Sequence, residues 1–351
     1  MTATVRSASR SVSAESAAPE AVAVAIPLFN DWAVVAELIR RLDSQVPGGA
    51  RVLLIDDGST APCPEPLLAA APEKIEQIEV LTLRRNVGHQ RAIALGLCFL
   101  EASRGCERLV VMDGDGEDDP CDVPRLLAQL GSDPRPKIVF AERTRRAEDP
   151  VFRLGYQAFR LVHRALTGVP VKVGNFSAVN RQAVRRLVVS PDLWNHYAAA
   201  AFRSKTPIEL VPTRRCRRIA GKSQMDFVGL VAHGLSAISV FREVVCTRLL
   251  LAATALLAVL CFGIAATIAI RLGTGLAIPG WATTAAGLLA AMVLQVLTLI
   301  ALVVFSLLGS REAATVLPAR DAEYFLDGVR TLWPAADDRS APAAQPARET
   351  V

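Results

Sequence analysis

Short, nearly all-apolar runs alternate with stretches of helical periodicity along the first part of this chain. Ala21–Pro27 reads as a buried strand and Asp31–Leu42 as a helix. Arg51–Ile55 is a second strand, stopped abruptly by Asp56-Asp57-Gly58-Ser59, and Ile78–Leu83 a third. Gly88–Glu101 is helical, with Ala92, Leu95, Gly96 and Phe99 at helical spacing. Leu109–Met112, again stopped by acids, and Lys137–Ala141 are the fourth and fifth strands. Strands alternating with helices predict an α/β fold with a parallel sheet covered on both faces. Ligands are then expected at the carboxyl ends of the strands, where the acid clusters fall.

The pattern changes further along. Val151–Leu166 places Phe152, Tyr156, Phe159, Val162 and His163 on one helical face flanked by Arg153, Arg160 and Arg164. This reads either as a core-facing helix or as one lying on a bilayer surface, with the arginines favouring the bilayer. Residues 226–248 pose the same choice and run into the first of two charge-free stretches, Leu249–Ile270 and Leu272–Ser310. Each is long enough for the roughly 20 apolar residues that a spanning helix needs. The expected layout is a tail over 1–20, a catalytic domain over 21–225 containing the interfacial helix 151–166, a juxtamembrane helix over 226–248, spans over 249–270 and 281–309, and a cytoplasmic tail over 310–351. Arg242 and Arg248 before the first span, with Arg311 and Arg320 after the second, place both termini in the cytoplasm of a bacterial-type inner membrane.

Composition agrees with that layout. Hydrophobic residues make up 52% of the 351, and the net charge is a mild +5. Nucleic-acid binding is disfavoured, because the arginines are not interleaved with aromatics. The seven cysteines form no CxxC pair or metal-ligand spacing, which suits a reducing compartment.

The acid clusters carry the chemistry. In Met112-Asp113-Gly114-Asp115 the two carboxylates project from the same side of an extended segment, an oxygen set suited to Mg²⁺ or Mn²⁺ bridged to a diphosphate. A metal there would neutralise charge on a nucleotide leaving group. Asp56 and Asp57 could hydrogen-bond a ribose or base edge. Asp-Gly-Asp alone is weak, since these residues fill loops generally, and the segment lacks the spacing of a twelve-residue calcium loop.

Taken together, Ala25-Ile26-Pro27-Leu28-Phe29-Asn30-Asp31, Ile55-Asp56-Asp57-Gly58-Ser59, Arg84-Arg85-Asn86-Val87-Gly88 and Val111-Met112-Asp113-Gly114-Asp115 resemble, in order and spacing, the motifs of family 2 glycosyltransferases. With two C-terminal spans the chain is similar to the polyprenyl-phosphate, dolichyl-phosphate-mannose-synthase-like branch. The resemblance implies a GT-A (Rossmann-like) mixed sheet followed by two transmembrane helices, and inverting transfer from a UDP- or GDP-sugar to a membrane lipid such as undecaprenyl phosphate. It assigns Asp56, Asp57, Arg85 and Asn86, with Pro27 and Asn30 of the first motif, to the donor nucleotide. Asp113 would stand near the donor and Asp115 would hold the metal. Arg217, Arg218, Lys222 and Ser223 resemble a basic loop that could clamp phosphates, although the cations also suit a patch drawn to anionic lipid.

The sequence departs from the branch at Asn175, where an acid is expected, and at Gln224-Met225. Asn cannot take a proton, which removes the obvious general base. A phosphate acceptor needs none, being ionised near neutrality with a second pKa of about 6. A hydroxyl acceptor would need Glu117, Asp118 or His196, and the competing reading of His196 is local packing or capping. The alternative to an enzyme is a catalytically silent membrane module that binds nucleotide, lipid or a partner. Four strand-end carboxylates favour the enzyme. A homo-oligomer is possible, with no GxxxG motif in either span to define it.

Overall fold

A computed structural model describes residues 22–103, 106–143, 150–169, 173–214, 216, 218–219, 227–274, 280–312 and 315–334. The tails expected over 1–20 and 335–351, and Arg217, Lys222, Ser223 and Gln224-Met225, lie outside the described residues.

The expected alternation is present. β1 (Val22–Leu28), α1 (Trp32–Asp43), β2 (Ala50–Asp56), β3 (Ile75–Leu83), α2 (His89–Ser103), β4 (Arg108–Val111), α3 (Val123–Leu130) and β5 (Ile138–Arg143) follow in order. Next come α4 (Pro150–Thr167), β6 (Val173–Asn180), α5 (Arg181–Val188), α6 (Tyr197–Arg203) and β7 (Ile208–Thr213). The chain then runs through α7 (Phe227–Ser239), α8 (Arg242–Gly273), α9 (Trp281–Glu312) and α10 (Pro318–Asp321) to a last strand, β8 (Leu326–Trp333).

The eight strands form one sheet in the order β7-β5-β6-β4-β1-β2-β3-β8. Strand-helix alternation alone implied a parallel sheet. The sheet is instead mixed, as the family resemblance implied, because β6 runs antiparallel to both β4 and β5, and β8 antiparallel to β3. β1 is buried at every position, as befits a central strand covered on both faces. One apolar layer joins the sheet to α2, α5 and α6; the other joins it to α1 and α3.

The membrane-facing part differs from expectation in two places. Residues 226–248 are not one helix: α7 stops at Ser239, and Val240 and Phe241 are buried against Ala199 before α8 starts at Arg242. The first long helix therefore begins seven residues earlier than expected (242 against 249). α8 and α9 are long and apolar enough to cross a membrane, with mean hydropathies of 2.6 and 2.8, and only 11% and 6% of their apolar windows are buried. A soluble core helix of this composition would be covered by protein. These two touch mainly each other, through Ala253, Leu260 and Val296, and most of their remaining apolar surface is left uncovered by the described residues.

The second difference concerns the expected tail, 310–351. After α9 the chain re-enters the sheet as β8, bonded along β3 from Leu83↔Leu326 to Ile78↔Trp333. The Arg84 amide donates to Phe325 O at 2.9 Å, and its Nε to Leu326 O at 2.8 Å, pinning the start of the strand. The tail expectation is corrected because pairing an edge strand satisfies a row of backbone groups that would otherwise be left open.

Candidate active site

Two groups of side chains collect at the carboxyl ends of the central strands. The first surrounds the β2 end. Gly58 takes φ +70°, and a Cβ there would lie 2.6 Å from the Asn86 amide nitrogen, so only glycine lets this turn pack against Arg85-Asn86. Asp57 is 4% exposed and spends its carboxylate on the turn, accepting from the amides of Val87 (2.7 Å) and Gly88 (2.9 Å). Burial pushes its pKa up despite those two amides. Asp56 accepts from the Ser59 amide at 2.8 Å and lines a cleft of about 330 Å³. Asn30, at φ +60°, clips the same loop: its Oδ1 accepts from the amides of Thr60 and Ala61, both at 2.9 Å. Asn is among the few non-glycine residues that adopt this conformation readily.

The second group surrounds the β4 end. The two are held together at Gly114, where an added Cβ would sit 2.7 Å from the carbonyl oxygen of Pro27. Asp113 Oδ1 receives His89 Nε2 at 2.9 Å and Asn175 Nδ2 at 3.1 Å. The Asp113 amide donates to Asp118 Oδ2 at 3.1 Å. Asp118 is 5% exposed, so this carboxylate, a candidate base in sequence, faces back into the loop. Asp115 Oδ1 accepts from the Glu117 amide at 3.0 Å, and Asp115 Oδ2 lies 3.7 Å from an Arg218 Nη2. Arg218 arrives because the chain after β7 docks here, with the Cys216 amide on Glu117 O and the Ile219 amide on Asp115 O.

Asn175 sits on β6 at the head of a relay whose direction is fixed by chemistry. The Tyr197 amide can only donate, and it donates to Gln90 Oε1 at 2.8 Å. Gln90 must then present Nε2 to Asn175 Oδ1, at 3.0 Å, which leaves Asn175 Nδ2 to donate to Asp113. Gln90, Asn175 and Tyr197 are all buried. The residue that replaced an expected acid is thus a hydrogen-bond donor that holds Asp113. His89, at the start of α2, keeps 41% of its side chain exposed. Burial lowers its pKa, but the carboxylates of Asp113, Asp115 and Asp57 outweigh this, and the net shift is upward.

His196 is not part of this group. It caps α6, accepting from the Ala199 amide at 3.4 Å, and faces His233 at 3.3 Å between Nε2 atoms. Burial, then His233, lower its pKa to about 3, so it is neutral at pH 7. This is the local capping reading. His89, Gln90 and Tyr197 had not been singled out in the sequence. The polar pair His89-Gln90, opening a largely apolar helix directly after Gly88, was the available signal.

The fold and site define an α/β domain with a mixed sheet, continued by two long apolar helices. Residues 23–188 match the family model described as Glycosyl transferase family 2. Among its relatives is the undecaprenyl-phosphate 4-deoxy-4-formamido-L-arabinose transferase of Enterobacter sp. (strain 638), 30% identical over 221 residues. The protein of the same name from Klebsiella pneumoniae subsp. pneumoniae is 27% identical over 220 residues. Each match covers 60% of this chain and 64% of the relative, so the chain spans less than two thirds of their length. Among solved structures, glucosyl-3-phosphoglycerate synthase from Mycobacterium tuberculosis, in complex with Mn²⁺, UDP and phosphoglyceric acid, aligns at 18% identity with a TM-score of 0.46. That alignment covers 64% of this chain and 78% of the synthase.

Proposed function

We propose that the chain transfers a sugar, with inversion, from a UDP- or GDP-sugar to a polyprenyl phosphate at the membrane surface. The observation that carries the reading is the Asn175–Asp113 contact beside Asp115, on a domain matched by the family 2 model and joined to two long apolar helices.

Asp115 and Asp113 fit a hard divalent cation, Mg²⁺ or Mn²⁺, by donor type. Arg218 beside Asp115 shows that this carboxylate attracts positive charge. When bound, the metal would supply charge neutralisation at a leaving diphosphate. The chain's own residues do the rest. Asp56 and the Arg85-Asn86 turn border the nucleoside end, and the relay from Tyr197 through Gln90 and Asn175 keeps Asp113 at a fixed height above β4. His89 stands beside Asp113 as a further hydrogen-bond partner. A phosphate acceptor is already ionised near neutrality, so a donor amide at Asn175 costs the reaction no base.

The hairpin accounts for delivery. Arg248 on α8 donates to Ala165 O at 2.6 Å, joining α4 to the membrane helix. Leu161 and Val162 on α4, and Val231 and Leu235 on α7, remain exposed. Such a surface suits the headgroup region, where a lipid-linked acceptor need not leave the bilayer. That α8 leaves the sheet domain and α9 returns to it through β8 supports a hairpin that crosses twice, with both flanks on one side. The flanking arginines favour the cytoplasm as that side.

The test is equilibrium binding of UDP and GDP to the purified protein, with and without Mg²⁺ or Mn²⁺, for the natural chain and Asp115→Ala. Metal-enhanced binding that Asp115→Ala removes is the expected result. Binding of either nucleotide that is indifferent to both metal and Asp115 overturns the metal role, and no binding at all overturns the donor class.

A further inference from the structure

We propose that β8, the strand that follows the membrane hairpin, forms the outer wall of the nucleobase pocket, so that Gly328 and Arg330 help decide which donor enters. This rests on the nucleotide-sugar reading above and adds a wall to that site from a distant part of the chain.

The cleft of about 330 Å³ beside Asp56 has two sides. One is built by the nucleoside-side motif: Asp56, Ser59, and Ala61 to Cys63, with Val80 and Thr82 of β3. The other is Asp327 to Arg330 of β8. The register explains the gap between them. Gly328 pairs with Thr82 and Arg330 with Val80, so the position opposite Thr82 carries no side chain. A Cβ built on Gly328 meets nothing within 4 Å. Trp32, fixed by its Nε1 donating to Ala61 O at 3.0 Å, is a further lining residue.

The lining chemistry selects the occupant. Asp56 and Asp327 line a cleft whose arginine, Arg330, is already paired with Glu65. Such a site repels phosphate and accepts neutral N–H groups, which the edge of a nucleobase offers and a diphosphate does not. The diphosphate belongs at the other end of the site, toward Asp115. A strand that exists only because the chain returns from the membrane would then make donor affinity depend on the hairpin being folded.

The test fills the gap. Gly328→Leu and Gly328→Ala are compared with the natural chain for binding of UDP and GDP in the presence of Mg²⁺, with thermal melting as the measure of folding. The leucine variant should melt as the natural chain does and bind its preferred nucleotide more weakly, by roughly the 10- to 200-fold that misfit in a pocket costs. The alanine variant should lose less, and it keeps the test decisive should the leucine variant not fold. Arg330→Ala should alter the ratio of UDP to GDP affinity. If the natural chain binds nucleotide in an Asp115-dependent way while both Gly328 variants bind equally well, β8 is not a wall of the pocket and the functional reading stands. If the natural chain binds no nucleotide, both fall together.

Discussion

Asn175→Asp restores the acid expected at this position, and the structure argues that it should harm this protein in a pH-dependent way. The new carboxylate oxygen would replace an amide that now donates to Asp113 Oδ1 at 3.1 Å. Losing a hydrogen bond to a charged group costs about 1.5–3 kcal/mol. Two like charges about 3 Å apart add about 5 kcal/mol at an effective dielectric of about 20, less where solvent screens Asp113. His89 Nε2, 3.0 Å from the Asn175 amide and 2.9 Å from Asp113, offsets much of that repulsion while protonated. Its pKa is raised, so the compensation is complete below its ordinary value of about 6.5 and fades as pH rises through the folded value. Above that, the variant would instead hold a proton on one carboxyl, at about 1.4 kcal/mol per pH unit above its ordinary pKa. The variant should therefore be destabilised by about 1–3 kcal/mol at pH 6 and by more at pH 8, where less of His89 is protonated. Melting of the detergent-solubilised protein at the two pH values reads this directly, at about 2–4 °C per kcal/mol for a domain of this size. Asn175→Ala, which loses the bond without adding charge, should show a deficit that does not change between them. Equal deficits for Asn175→Asp at pH 6 and pH 8, or none, would refute the assigned orientation of the relay.

Three further outcomes are expected. Gly114→Ala forces a Cβ against the Pro27 carbonyl, a backbone atom that cannot swing away, so transfer activity should fall by about 100-fold or more while the domain remains folded. Steady-state turnover beside a melting curve checks this, and near-normal turnover would count against the close join of the two halves. His196 is buried and neutral, with a pKa near 3, so the natural chain loses stability as pH falls below about 6.5, by about 2 kcal/mol at pH 5. His196→Asn keeps a capping side chain but not the titration, and its melting temperature should fall less between pH 7.5 and pH 5. Gln90→Leu should lower turnover while leaving nucleotide affinity unchanged, because it frees Asn175 rather than any donor contact. Equal losses in both would mean that the relay merely supports the fold.

Much of the sheet was legible because β1, β2 and β4 are short apolar runs cut off by acids or turn residues, a signal contained within each segment. β6 escaped that reading: Gly174-Asn175 and Ser177 break its apolar run, and it becomes a strand through its pairing with β4 and β5. β8 was hidden for a related reason. Leu326-Asp327-Gly328-Val329 has no clean alternation, and its partner β3 lies some 250 positions away, beyond any local pattern. The carboxylates were visible as motifs, but their division of labour was not. Asp56 and Asp57 look equivalent in sequence, yet one faces a cleft and the other holds a turn. Asn175 read as a lost base because its partner Gln90, 85 positions earlier on α2, meets it only in the folded chain, a contact no spacing records.

The central claim is tested most directly by incubating the purified protein in lipid with undecaprenyl phosphate, Mg²⁺ or Mn²⁺ and a panel of UDP- and GDP-sugars, and weighing the lipid by mass spectrometry. The account predicts a metal-dependent gain of one sugar on the lipid phosphate, matched by nucleotide diphosphate release and lost in Asp115→Ala. Nucleotide binding without any glycosylated lipid phosphate, across the whole panel, would contradict it.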